Sequence, residues 1–93
     1  MTFEVNEYLL KGIGIDECWQ GLNVLYGQCS DDSEGLSAEK VAECWNVTSF
    51  APRAVITNMA KSGDEICLTV AEYDHDWMPF LELVAGKFGL EVC

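Results

Sequence analysis

Acidic side chains crowd most of this chain, yet none lies between Glu43 and Asp64. Nine of the sixteen carboxylates fall in residues 1–43 and seven in 64–93, while the intervening window holds Arg53 and Lys61. Any fold must keep that many charges solvated and apart, so the acid-free stretch is the part most open to burial, or to facing an anion. With only five basic residues the net charge is −11 and the pI about 4.1. Such a chain repels phosphates and membrane surfaces at long range and attracts basic partners. Either the acid is a solubilising surface, or it belongs to the function by repelling or imitating nucleic acid.

Ninety-three residues suffice for a single domain, 1–93. An apolar fraction of 49% with ten aromatic residues supplies a core and argues against intrinsic disorder. The longest stretch without a charged residue, 18–30, is well short of the ~20 apolar residues that span a bilayer. The N-terminal residues show no basic region, apolar run and small-residue cleavage site of a signal peptide, so a cytoplasmic protein is expected. The five cysteines, Cys18, Cys29, Cys44, Cys67 and Cys93, include no C-x-x-C pair. Cys18, Cys29 and Cys67 sit in apolar rhythm and read as core, whereas Cys93 is free for adventitious intermolecular disulfides. Asp74-His75-Asp76 has metal-compatible residue types without a partner ligand at a matching spacing, and reads as a solvated turn. One His, no nucleophile motif and no phosphate-binding glycine loop leave no basis for an enzyme, a metal or a cofactor.

Periodicity divides the chain into short elements. Residues 3–11 fit either a helix or a strand, and Gly12 and Gly14 mark a break at their end. Asp16 is a suitable N-cap, after which Ile15, Cys18, Trp19, Leu22, Leu25, Tyr26 and Cys29 recur at threes and fours, predicting a helix over 16–29. A polar loop, 30–35, precedes a second start at Ser37, where Leu36 and Val41 have the spacing of a hydrophobic staple. Val41, Ala42 and Trp45 face inward, and Asn46 suits a left-handed exit. Ser49 can cap a third helix with Pro52 in its first turn, Val55, Ile56 and Met59 inward, and Gly63 at its end. The competing reading of that segment is a hairpin, with AVITNMA and EICLTVAEY as strands and KSGD as the turn. Ile66, Leu68 and Val70 alternate in a strand over 66–73. Asp76 can cap a last helix, 76–88, whose stripe of Trp77, Leu81, Val84 and Phe88, widened by Phe80 and Leu83, is broad enough to suggest a dimer face.

A short helix, a tight turn, a second helix, a glycine and a strand is the order of a winged helix-turn-helix. Over LSAEKVAECWNVTSFAPRAVITNMAKSGDEICLTV, residues 36–70, the chain resembles that superfamily, and within it the very small winged-helix regulators of bacterial fimbrial operons. Ala42 stands at the small position where the two helices cross. Asn46 replaces the usual Gly, Val47 and Thr48 match the turn, and Val55, Ile56, Met59 and Gly63 match the recognition helix and its end. Pro52 departs from the aliphatic usual there. The resemblance implies a mainly α (α+β) fold with a small β wing: a helix-turn-helix core at 36–63, a wing at 64–74 and an additional C-terminal helix.

The function expected on that basis is a small transcriptional regulator that touches DNA directly or through a partner protein, acting as a homodimer or with a DNA-binding partner. Thr48, Ser49, Arg53, Thr57, Asn58 and Lys61 lie in the acid-free window and offer donors for a groove, Arg53 to guanine or phosphate and Asn58 to adenine. Two bases are a thin footing against DNA at this net charge. The alternative is an acidic inhibitor or DNA mimic, of the kind phages and plasmids carry, that occupies the groove of a basic nucleic-acid-binding protein. Its carboxylates would be Asp31, Asp32 and Glu34, the pair Glu39 and Glu43, and Asp74 with Asp76.

Overall fold

The computed structural model describes residues 3–28, 35–47, 51–74 and 76–93. In chain order they form β1 (Glu4–Gly12), α1 (Ile15–Gln28), β2 (Leu36–Ser37), α2 (Ala38–Trp45), β3 (Ala54–Ser62), β4 (Glu65–Glu72), α3 (Trp77–Lys87) and β5 (Leu90–Val92). The strands make one antiparallel sheet in the order β2-β3-β4-β1-β5. The architecture is α+β, built on a five-stranded sheet, and not the mainly α winged helix-turn-helix that the resemblance implies.

The correction turns on residues 52–63. Expected as a recognition helix, they contain instead β3, which is paired along its length with β4. The β-branched run Val55-Ile56-Thr57 fits a pleated surface better than a helix. Gly63 and Asp64 close a two-residue hairpin loop between Ser62 and Glu65, and Gly63 holds the positive φ of 62° that such a turn demands. The alternative hairpin is thus the structure adopted, and the wing becomes the central strand β4. Residues 3–11 resolve as β1, which pairs with β4 from Glu4↔Glu72 to Lys11↔Glu65.

Local signals fare better. Helix α1 covers the expected span as far as Gln28, although it starts at Ile15, with Asp16 inside its first turn instead of capping it. At α2 the Ser37 hydroxyl accepts the Lys40 N–H at 3.2 Å, and Asn46 takes the left-handed exit (φ 51°), donating its N–H to Ala42 at 2.9 Å. Helix α3 follows Asp76, whose side chain makes no cap hydrogen bond, and ends before Gly89.

All three helices lie on one face of the sheet. Leu10, Tyr8, Leu68, Val70 and Ile56 point toward them, and the core fills with Cys18, Leu22, Val41, Trp77 and Phe80. Trp45 of α2 lies against Gly21 of α1 and edge-on to Phe88, ring centres 5.2 Å apart. The stripe expected as a dimer face is spent here: Trp77, Phe80, Leu81 and Val84 are buried within the monomer and Phe88 is half-buried against the same core. A sheet this wide needs α3 as a cover, which accounts for its broad apolar face. Among the described residues no helix is long and apolar enough to cross a membrane.

Candidate interaction surface

The residues expected to meet DNA are not gathered by this fold. Thr48 and Ser49 lie outside the described residues, as do Asp31, Asp32 and Glu34. Arg53 precedes β3, where its backbone pairs with Tyr73 and its side chain lies 3.8 Å from Asp74. Thr57 occupies a β-bulge; its carbonyl accepts the Tyr26 hydroxyl at 2.9 Å and its own hydroxyl donates to the Thr69 carbonyl. Asn58 stands on the sheet face away from the helices, opposite Thr69. Lys61 turns to the helix side, where it pairs with Asp16 at 3.4 Å and donates to the Gly63 carbonyl at 2.7 Å. Arg53 and Lys61 are about 25 Å apart along an extended strand and serve as local ties.

The open face of the sheet is the surface that sequence reasoning missed. Cross-strand rows place Val5 beside Ala71 and Val55, Glu7 beside Thr69 and Asn58, and Leu9 beside Cys67 and Ala60. At one end Phe3 meets Tyr73 with ring centres 5.2 Å apart; at the other, Lys11 sits between Glu65 and Glu91. Phe3, Val5 and Leu9 are 51%, 57% and 38% exposed, high for apolar side chains side by side on a solvated sheet. Cys67 belongs to this face and not to the core, in contrast to expectation; its thiol donates to Glu7 at 3.4 Å, and burial together with the Glu7 carboxylate pushes its pKa up. Cys18 is core as expected, and Cys29 lies outside the described residues.

Beside this face, β1 is only partly covered. The terminal strand β5 pairs with it from Leu10 to Gly12, and Leu9 exchanges two backbone hydrogen bonds with Cys93, at 2.8 and 3.4 Å. Over residues 4–8 no described strand lies on that side. Glu4 stands opposite Glu72 there, and the Glu72 carboxylate accepts both the Tyr8 hydroxyl (2.5 Å) and the Asn6 amide (2.8 Å). Burial, then Glu72 and Glu4, push the Tyr8 pKa above its ordinary range.

None of the described carboxylates is buried, and among the described residues only Asp16 and Asp74 pair with a basic side chain. The acid is therefore displayed, not neutralised. No group of three His, Cys, Asp or Glu side chains among the described residues is placed to hold a metal ion. Compared with protein-family models, curated proteins and solved structures, the chain matches none.

Proposed function

We propose that the chain is an acidic protein-binding domain that docks on the basic surface of a nucleic-acid-binding protein and competes there with nucleic acid. The observation that carries this reading is that no described carboxylate is buried and only Asp16 and Asp74 of them pair with a base, while Glu7, Glu65 and Glu91 stand on the exposed, partly apolar sheet face. Carboxylates on a rigid surface attract a basic groove as phosphates do, and the apolar patch supplies contact area once the two surfaces meet. The recognition helix that the regulator reading placed over 52–63 is replaced by β3. Its two expected cationic contacts each lie near a carboxylate, Arg53 by Asp74 and Lys61 by Asp16.

The test is retention of proteins from a nuclease-treated lysate of the source cells on the immobilised chain, followed by elution with duplex DNA and, separately, with salt. Basic nucleic-acid-binding proteins should be retained, released by duplex DNA, and lost steeply as salt screens the contact. A gel shift of duplex DNA by the chain alone, or retention indifferent to duplex DNA, would overturn the reading.

A further inference from the structure

We infer that the edge of β1 at residues 4–8, which no described strand covers, is the docking line, and that it takes an extended basic segment of the partner as an added antiparallel strand. This rests on the protein-binding reading above and gives it a site and a mode. Antiparallel ladders alternate, so that every second residue turns its N–H and C=O to the same neighbour. Leu9 turns both toward Cys93. The same phase aims the backbone groups of Glu7 and Val5 to the side on which no described strand pairs with them, while Asn6 and Tyr8 bond to β4. Glu7 and Val5 therefore offer a row of unpaired donors and acceptors to an incoming strand.

Charge decides which strand that is. Glu7 stands on the open face and Glu4 on the helix side, with Glu72 opposite Glu4 and no basic side chain anywhere in residues 3–8. Charged edges normally prevent sheets from adding to one another, and this one bars a second copy of the chain. Self-pairing with Val5 opposite Glu7 would set the two Glu7 carboxylates diagonally beside each other on the open face, between molecules that each carry −11. A basic strand reverses the sign of that interaction. In antiparallel register its side chains opposite Glu7 and Val5 share the open face, and the one opposite Glu4 falls on the helix side. The matching segment thus carries Lys or Arg opposite Glu7 and Glu4, and an apolar residue opposite Val5, which stands between Phe3 and Glu7 on the open face.

The probe is an amide-capped peptide, Thr-Lys-Thr-Val-Lys-Tyr, with its Lys-to-Glu counterpart as control. Amide hydrogen exchange and chemical shifts of the labelled protein are the readout. The Val5 and Glu7 amides should exchange fast in the free protein and slowly with the basic peptide, and be unaffected by the acidic one. Val5→Pro removes an N–H that faces the edge and leaves the β4 ladder intact, so the basic peptide should bind roughly tenfold more weakly. If circular dichroism shows that variant unfolded, Glu4→Gln with Glu7→Gln should weaken binding instead. Shifts that fall elsewhere, or equal binding of both peptides, overturn the proposal. So does protection that grows with protein concentration together with a dimer mass in sedimentation, because the occupant is then a second copy. Equal retention of basic lysate proteins by wild type and Val5→Pro removes the edge and leaves the protein-binding reading standing. Failure of wild type to retain any removes that reading itself.

Discussion

At Gly21 the chain gives up helix propensity for a contact. A Cβ there would come within 2.8 Å of Trp45 Cζ2, whereas one at Gly27, in the same helix, would meet nothing within 4 Å. Gly21→Ala should therefore cost about 1–3 kcal/mol by overpacking, and Gly27→Ala should gain about 0.5–1 kcal/mol, in urea denaturation. Cys18 ties stability to alkaline pH. Burial, with Glu17 adding to it, raises its thiol from 9.0 to about 12, so the folded state holds the proton more tightly than the unfolded one. Its contribution is complete below pH 9 and is lost as pH rises toward 12, at most about 4 kcal/mol. Denaturation at pH 7, 9 and 10.5 should show this slope in wild type and a shallower one in Cys18→Ala. The inward positions of α1 were legible because Ile15, Cys18, Leu22 and Leu25 keep one period. Cys67 was legible too, for alternation that puts Ile66, Leu68 and Val70 inside puts Cys67 outside; its apolar character alone misplaced it. Glu7 and Val5 gave no such signal. Phe3, Val5, Glu7 and Leu9 on one side and Glu4, Asn6, Tyr8 and Leu10 on the other are both mixed, so neither face of β1 declares itself.

Among the elements, those that local chemistry defines were readable and those that tertiary pairing defines were not. Ser37 and Asn46 fix both ends of α2 through their own hydrogen bonds, independently of the rest of the fold. Strand β3 misled because the bulge at Thr57 breaks its alternation. Ala54 and Ile56 point inward at a spacing of two, but the next inward residue is Met59, three further on. That interval, together with Val55, imitates a helical stripe. Strands β2 and β5 are two and three residues long, too short to carry any period. The breadth of the apolar face on α3 was real: Trp77, Phe80, Leu81 and Val84 pack into the core of the same chain, while Leu83 stays exposed. Trp77→Asp should accordingly abolish the fold instead of dissociating a dimer, since losing a buried Trp costs about 3–5 kcal/mol before the charge is counted. Far-ultraviolet circular dichroism checks this directly: a folded variant would mean that Trp77 is not in the core.

For the molecule as a whole, the charge is a standing load on the native state. The described surface has only two ion pairs to offset a net −11, so self-repulsion opposes compaction. Raising salt from 0.01 to 0.15 M shortens the screening length from about 30 to about 8 Å and should raise the melting temperature. A fall would mean that attraction between unlike charges outweighs the repulsion. The acidic character was plain from composition, while the placing of Glu7, Glu65 and Glu91 on one sheet face depends on pairings between residues far apart in sequence. The same pairings bear on how the chain reaches its native state. Strand β1 leaves the ribosome first, yet its ladder partner is β4, with Leu10 meeting Ile66 and Glu4 meeting Glu72. The β3–β4 hairpin closes over two residues, and closing it costs far less chain entropy than bringing β1 to it. Pulse-labelled refolding should thus protect β3 and β4 amides before those of β1, and simultaneous protection would contradict that order. During synthesis the mixed, acid-bearing segment EVNEY must wait unpaired until β4, about sixty residues later, has emerged, and its glutamates keep it soluble through that interval.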